Sequence, residues 1–426
     1  MTARRVLLAD ADAFFVAVAR MVDPGGAGKA PLLIVGGTRE GRGVVCSASY
    51  EARKFGVRSA MPIARALRLC PAAMCVPVPR RACGDKSREI RAALECFSPV
   101  VEGASIDEWY LDLGGTEGLY NHEPLAVTAK RIRDSVTEAT QLSVSLGGGT
   151  SKLVAKLAVE RAKPKPGTGA TGVHVVEPGG ERSFLETFNL GEIPLIGPRF
   201  QERLAMLGMH TVPDVLQYDI PSLARWLGAR EAEWLYHRVR GVDHSEVEAH
   251  AEAKSISRDD TFPVDLDDDK DLGRELLALV TRAATDLRGD GLTTRTITVR
   301  IRDHDFKTRQ ASRTLDEPVM SDRVILEVAR ALFARLRAAR PVPARLLGIG
   351  LSSLTVDSTS DQLTLFERRD PKSGETDRDR LLARTIDQVR ARFGDTGIFP
   401  AALADGTAPP AHTVRRPTED RSSARE

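Results

Sequence analysis

Two adjacent acids, Asp107 and Glu108, stand inside a segment that is otherwise apolar and strand-prone, Ala104 to Leu113. Neighbouring side chains on a regular strand face opposite ways. The pair can therefore converge only at a strand end or in a turn. A third acid, Asp10, ends the first apolar run, residues 5 to 9. If the two strands pair, the three carboxylates meet at one place. Without cations they would repel one another, and two Mg²⁺ ions about 3.5–4 Å apart are the usual solution for in-line phosphoryl displacement. One ion would activate an attacking hydroxyl, and the other would hold a triphosphate. The plainer alternative is a set of solvated acids at strand ends. Asp12 has two readings, a fourth ligand or an acid beside the positive end of the next helix.

At 426 residues the chain is too long for one core and calls for two to four modules. Its net charge of +2 neither requires nor excludes a nucleic-acid partner, so local patterning must decide. No apolar run is long enough to span a membrane. The opening Met1 to Ala9 mimics a signal peptide, but Asp10 and Asp12 interrupt its apolar stretch. Export is therefore not expected. The 5 cysteines, all within the first hundred residues, read as reduced thiols rather than as a disulfide framework or a zinc site.

The hydrophobic pattern gives the module order. Strands are expected at residues 5 to 9, Leu32 to Val35, Ala104 to Leu113 and Leu142 to Leu146. Helices are expected at Phe14 to Met21, Pro62 to Leu69, Ser87 to Cys96, Leu125 to Ala139 and Ser151 to Ala162, the last capped by Thr150 after a Gly147-Gly148-Gly149 turn. Residues 185 to 241 read as short helices punctuated by Pro and Gly, and residues 242 to 254 as a polar linker. Residues 255 to 356 alternate strand, helix, strand, strand, helix, strand. A charged tail follows, with a helix at Arg378 to Phe393 and expected disorder over residues 406 to 426. Gly147 to Lys152 resembles a phosphate-binding P-loop only superficially, because its Lys does not sit between Gly and Ser or Thr.

Several segments together resemble the Y-family, or lesion-bypass, DNA polymerases. They are Asp10-Ala11-Asp12-Ala13-Phe14-Phe15, Ser47 to Val57 with Met61-Pro62, Ala104 to Asp112, Gly147 to Lys163, and Gln362 to Phe366. The resemblance implies an α+β multidomain right-hand polymerase. Its palm would be residues 1–21 and 79–167, its fingers 22–78, its helical thumb 168–241, and its βαββαβ-like little finger 252–356 after a 242–254 linker. By position, Asp10, Asp107, Glu108 and the carbonyl of Ala11 resemble the ligands of two Mg²⁺ ions. Phe15, next to Phe14, resembles the steric gate that rejects a 2′-hydroxyl; from the residues alone it would be a core phenylalanine. Ser47, Tyr50, Arg53 and Lys163 resemble the contacts to a deoxynucleoside triphosphate. A hydroxyl, a phenol and two cations suit that charge, although Arg53-Lys54 could also be an exposed basic helix face. Three positions depart from the family: Ala19, Trp109, and Leu195 in Pro194-Leu195-Ile196-Gly197, where the hairpin usually has glycine.

The implied activity is template-directed DNA synthesis by two-metal phosphoryl transfer, with low fidelity and no proofreading module. In Thr296 to Arg302, Ile297, Val299 and Ile301 alternate with Thr298, Arg300 and Arg302. The outward basic face, joined by Arg309 and Arg313, suits a DNA backbone, as does Gly197 at a helix start. Gln362, Leu363, Leu365 and Phe366 look like a sliding-clamp binding peptide in the tail. The expected partners are primer-template DNA, dNTPs and a sliding clamp, with the chain acting as a cytoplasmic, nucleoid-associated monomer and no membrane involved. The competing reading is a non-catalytic, clamp-tethered scaffold, but such relatives lose the carboxylates this chain keeps. A DNA-binding regulator lacks any helix-turn-helix or zinc signature.

Overall fold

The computed structural model describes residues 4–39, 41–164, 169–249, 252–357, 374–394 and 397–404. The chain divides into two compact units. The first holds residues 1–37, 44–61 and 65–251, and the second holds residues 38–43, 62–64 and 252–426.

The chain opens with β1 (Val6–Ala11) and α1 (Phe14–Val22). Next come β2 (Leu33–Gly36), β3 (Val45–Ala48), α2 (Tyr50–Lys54), α3 (Ile63–Leu69) and β4 (Met74–Pro77). These three strands form a small sheet of order β3-β2-β4. Then α4 (Arg80–Glu95), β5 (Val100–Gly103), β6 (Glu108–Asp112), α5 (Leu125–Thr140), β7 (Val144–Gly149), α6 (Lys152–Ala162) and β8 (Val173–Val175) complete a second sheet of order β5-β6-β1-β7-β8.

β1 is the central strand, and its register on β6 sets Asp10 opposite Glu108. Its alternate side chains serve two cores. Leu7, Ala9 and Ala11 pack with α4 and α5, while Val6 and Leu8 pack with Ala155 and Val159 of α6. The expected strand from Ala104 to Leu113 is instead a hairpin: β5 ends at Gly103 and β6 begins at Glu108. Asp107 thus lies in the turn, which is what lets two neighbouring acids approach one site.

Three expectations around α6 need correction. Gly147, Gly148 and Gly149 are not a turn but the buried end of β7. A β-carbon on Gly147 would come within 2.1 Å of the Val159 backbone nitrogen, so glycine there lets α6 lie directly on the strand. The helix cap is Ser151, whose hydroxyl accepts from the Val154 amide, while Thr150 donates to Glu181. The expected linker is docked over its first part. Val247 is buried against Val6 and Leu8, and Asp243 accepts from the Leu153 amide at the start of α6.

The rest of the first unit is helical: α7 (Glu181–Leu185), α8 (Pro198–Ala205), α9 (Val212–Leu216), α10 (Ile220–Leu227) and α11 (Ala229–Arg238). Proline in the first turn of α8, α9 and α10 starts each where a missing N–H costs nothing.

The second unit realises the expected order: β9 (Ser255–Leu266), α12 (Asp269–Gly289), β10 (Leu292–Asp303), β11 (Thr308–Val319), α13 (Asp322–Ala339) and β12 (Ala344–Val356). The antiparallel sheet, ordered β11-β10-β12-β9, buries Ile297, Val299 and Ile301 against α12 and α13. A last helix, α14 (Asp377–Phe393), is not a detached tail helix. Its Asp387 pairs with the buried Arg288 of α12 at 2.6 Å, and Glu375 just before it accepts the Met320 and Ser321 amides at the start of α13.

Asp303, at the end of β10, is closed off from solvent between Arg309 and Arg340. Burial would raise its carboxyl, but the hydrogen bonds from the two guanidiniums hold it below its ordinary value. A depressed carboxylate stabilises the fold above its unfolded pKa, near 3.9, and loses that contribution as pH falls through the folded value. Asp303→Asn is expected to destabilise the fold at pH 7, because Arg309 loses its counter-charge and keeps only carbonyl partners. The gap should shrink below pH 4, as read by denaturant melts of both proteins across pH.

Candidate active site

One pocket of 230 Å³ in the first unit gathers Asp10, Ala11, Phe14, Phe15, Ser47, Tyr50, Arg53, Asp107, Glu108 and Lys163. All the residues expected at the catalytic and triphosphate positions are among them. They come from the end of β1, the start of α1, β3, α2, the β5–β6 turn and the end of α6.

The turn between β1 and α1 is strained. Ala13, with φ 47°, adopts the left-handed conformation that side chains other than glycine rarely take. It reverses the chain so that Phe14 is buried while Phe15 is half-buried and faces the pocket, the two rings meeting edge to face at 5.5 Å. Phe15 thus lines the pocket while packing in part against the core behind it. Asp12 stands just before the cap of α1 and is not among the residues lining the pocket. Its carboxylate accepts from the Ser143 and Ser145 hydroxyls, both at 2.8 Å, and ties the turn to β7.

On the opposite wall, Ser49 caps α2 and so fixes Tyr50 and Arg53 one turn apart. Arg53 donates from Nε to the Ala48 carbonyl at 2.9 Å and lies over the Tyr50 ring. Burial and the nearby Asp12 charge raise the Tyr50 phenol, so near neutral pH it remains a hydrogen-bond donor. Cys46 and Ser59 also line the pocket; the sequence reading missed both.

Charge in the floor is balanced from α6. Lys163 pairs with Asp10 at 2.8 Å, and Lys156 pairs with Glu108 at 2.6 Å. Burial leaves the Asp10 carboxyl raised to about 7 despite the opposing pull of the Lys163 ammonium. The same contact raises Lys163 above its ordinary range. Asp107 accepts from the Ser105 hydroxyl at 2.5 Å. Among the described residues no three ligating side chains stand close enough to hold one ion in this arrangement. The donor chemistry nevertheless fits hard divalent cations: three carboxylates converge on one cavity, one of them buried and already matched by positive charge. Lys156 was not foreseen, although its spacing of seven from Lys163, two helical turns, places both on one face.

The departures from the family pattern resolve plainly. Trp109 points away from the pocket, as the strand alternation requires, and is buried in the core with Phe14 and Leu111. Ala19 packs against Leu33 and Val35. Leu195 takes the glycine-like conformation of the hairpin, φ 72°, with its side chain 79% exposed. Gly197 follows as the cap of α8.

In the second unit, Arg300 and Arg302 lie on the sheet face opposite the helices. Arg300 pairs with Asp259 at 3.1 Å, and Arg302 donates to Thr308. Arg309 and Arg313 do not share that face. They stand opposite Ile301 and Ile297, on the helix side, and Arg309 is committed to Asp303. The reason is register: opposed residues of an antiparallel pair share a face. Gln362, Leu363, Leu365 and Phe366 lie outside the described residues.

Comparison with known proteins gives the family of the chain. The impB/mucB/samB family matches residues 9–160, its C-terminal domain matches residues 253–365, and a DNA polymerase-iota thumb domain matches residues 191–243. The chain is 34% identical to a DNA polymerase IV of Dehalococcoides mccartyi strain CBDB1 over 93% of this chain and 97% of that protein. It is 36% identical to a DNA polymerase IV of Streptomyces coelicolor over 85% and 73% of the two chains. Among solved structures, the Y-family DNA polymerase chimera Dbh-Dpo4(243-245)-Dbh superposes with a TM-score of 0.71 at 26% identity, covering 83% of this chain and 99% of that one. An insertion ternary complex of Dbh DNA polymerase superposes with a TM-score of 0.58, also at 26% identity and with the same coverage. The chain belongs to the impB/mucB/samB family, the Y family of DNA polymerases.

Holding a leucine at positive φ costs roughly 1–2 kcal/mol, partly offset by the extra chain entropy of a glycine there. Leu195→Gly is expected to raise stability by about 1 kcal/mol, measured as a higher thermal midpoint of the whole chain.

Proposed function

We propose that this chain is a lesion-bypass DNA polymerase that adds single deoxynucleotides to a primer 3′-end on a template and releases pyrophosphate. The observation that carries the reading is the pocket itself. It joins three carboxylates at the end of a central strand to an aromatic wall and a set of phosphate-binding groups, in a chain of this family.

Asp10, Asp107, Glu108 and the carbonyl of Ala11 would hold two Mg²⁺ ions. When bound, such ions supply the charge that activates a hydroxyl and stabilises the departing pyrophosphate. The protein's own groups do the remaining work. Arg53 offers a planar fork, Lys163 a point charge, and Ser47 and Tyr50 hydroxyl donors to the triphosphate. The Phe15 ring closes the space below the sugar, where a 2′-hydroxyl would clash. Arg300 and Arg302 would meet the phosphate backbone, which is recognised without regard to sequence. Arg309 and Arg313 are not part of that surface. Gly197, at the start of α8, would offer amides to a phosphate.

The proposed modules keep the boundaries given above, with the palm at 1–21 and 79–167, fingers at 22–78, thumb at 168–241 and little finger at 252–356. A sliding clamp is the proposed partner of Gln362 to Phe366, and a monomer bound to chromosomal DNA is the proposed working form. No described helix is long and apolar enough to cross a membrane.

The test is primer extension with Mg²⁺ and each dNTP. Asp107→Ala/Glu108→Ala is expected to lower the rate by on the order of 10³-fold or more, several kcal/mol of transition-state stabilisation. A well-folded wild type that binds primer-template yet extends nothing would overturn the reading. Replacing Phe15 by alanine is expected to let ribonucleotides in, read as a fall in the ratio of dNTP to rNTP incorporation with dNTP addition retained. Leu365→Ala/Phe366→Ala is expected to weaken clamp binding and leave clamp-free extension unchanged, measured by titration with purified clamp and by extension in its absence.

A further inference from the structure

Three lysines, two on α6 and Lys163 just past its end, form a ladder against three acids of the sheet. Lys152 pairs with Glu102 at 2.7 Å, Lys156 with Glu108 at 2.6 Å, and Lys163 with Asp10 at 2.8 Å. The first rung lies outside the pocket, where Lys152 also stacks on the Tyr110 ring and Glu102 accepts the Glu248 amide. That rung holds the fold together. The third joins a proposed metal ligand to a proposed triphosphate contact. The middle rung is different, because Lys156 takes the carboxylate of a metal-ligand candidate and does not itself line the pocket.

Asp10 and Glu108 stand directly opposite one another on β1 and β6, an arrangement in which like charges repel. With Lys156 on it, the Glu108 side chain is drawn toward α6. Asp10 and Asp107 have partners of their own, Lys163 and the Ser105 hydroxyl. We infer that Lys156 is a positioning residue, a resident counter-ion that holds Glu108 until a divalent cation competes for it. The ammonium thereby sets how much Mg²⁺ the enzyme needs. It keeps the acids compatible with the folded state, and it must surrender Glu108 before both ions bind. This inference rests on the two-metal reading of Asp10, Asp107 and Glu108.

The experiment measures Mn²⁺ binding to the full chain without DNA or nucleotide, by the loss of the free-ion electron paramagnetic resonance signal. Lys156→Met is expected to bind Mn²⁺ about five- to tenfold more tightly, the effect of removing one competing, partly buried charge. Lys152→Met, which breaks the neighbouring rung, is expected to leave affinity unchanged, and Lys156→Arg is expected to stay near wild type. In primer extension, the half-saturating Mg²⁺ concentration of Lys156→Met should fall by a similar factor with the KM for dNTP unchanged. Circular dichroism reports folding; if Lys156→Met does not fold, Lys156→Gln carries the same expectation. Unchanged or weaker Mn²⁺ binding by the folded variant, or an equal gain in Lys152→Met, would sink the inference. Wild type binding Mn²⁺ no better than Asp107→Ala/Glu108→Ala would instead remove the two-metal reading on which it rests.

Discussion

The close approach of α6 to β7 is the constraint on which the active site depends. Gly147 carries no β-carbon, so the helix backbone presses directly on the strand. That contact fixes the height and direction of α6, and its lysines then fall over the carboxylates of β1 and β6. A side chain at Gly147 would push the helix outward and carry Lys156 and Lys163 away from their acids. Packing geometry therefore sets electrostatics here, and the charge balance of the site follows from one missing methyl group.

The same sheet shows how the fold tolerates charge at its centre. Asp10 has a side chain only 8% exposed, a position that would ordinarily favour neutralisation. Lys163 and Lys156 offset much of that cost but do not erase it, and Asp10 remains displaced upward. A site compensated by movable ammonium groups can exchange them for other cations. One packed with fixed arginine forks, such as Asp303 between Arg309 and Arg340, cannot do so as readily. The two acids illustrate the difference between a buried carboxylate proposed for chemistry and one that serves stability.

Much of the fold was legible in the sequence, and each miss has a physical cause. Period-two alternation located β10 and its buried Ile297, Val299 and Ile301, because a half-covered sheet imposes that pattern on any sequence. The same rule failed for Arg309 and Arg313, which do share a face, as expected. Which face that is depends on the register of β11 against β10, and no periodicity within one strand can report it. Glycine marks both a bend and a close approach, so the triplet alone does not distinguish a turn from the buried end of β7. The docked first part of the linker looked polar because only Val247 enters the core.

For the site, the chain's own order of residues determined which groups could take part. A carboxylate ending an apolar strand, an acid pair at a strand start, an aromatic pair after a short turn and a capped basic helix are local features, written within a few residues each. Tertiary structure alone decided which of them converge. The pairing of β1 with β6 brought Asp10 to Glu108 across about a hundred positions of chain, a distance over which local preference carries no information. It also decided that Trp109 serves the core, that Asp12 ties the turn to β7, and that Lys156 rather than solvent meets Glu108. Side-chain chemistry is a property of the sequence, whereas the partner each charge finds depends on the packing of elements far apart along it.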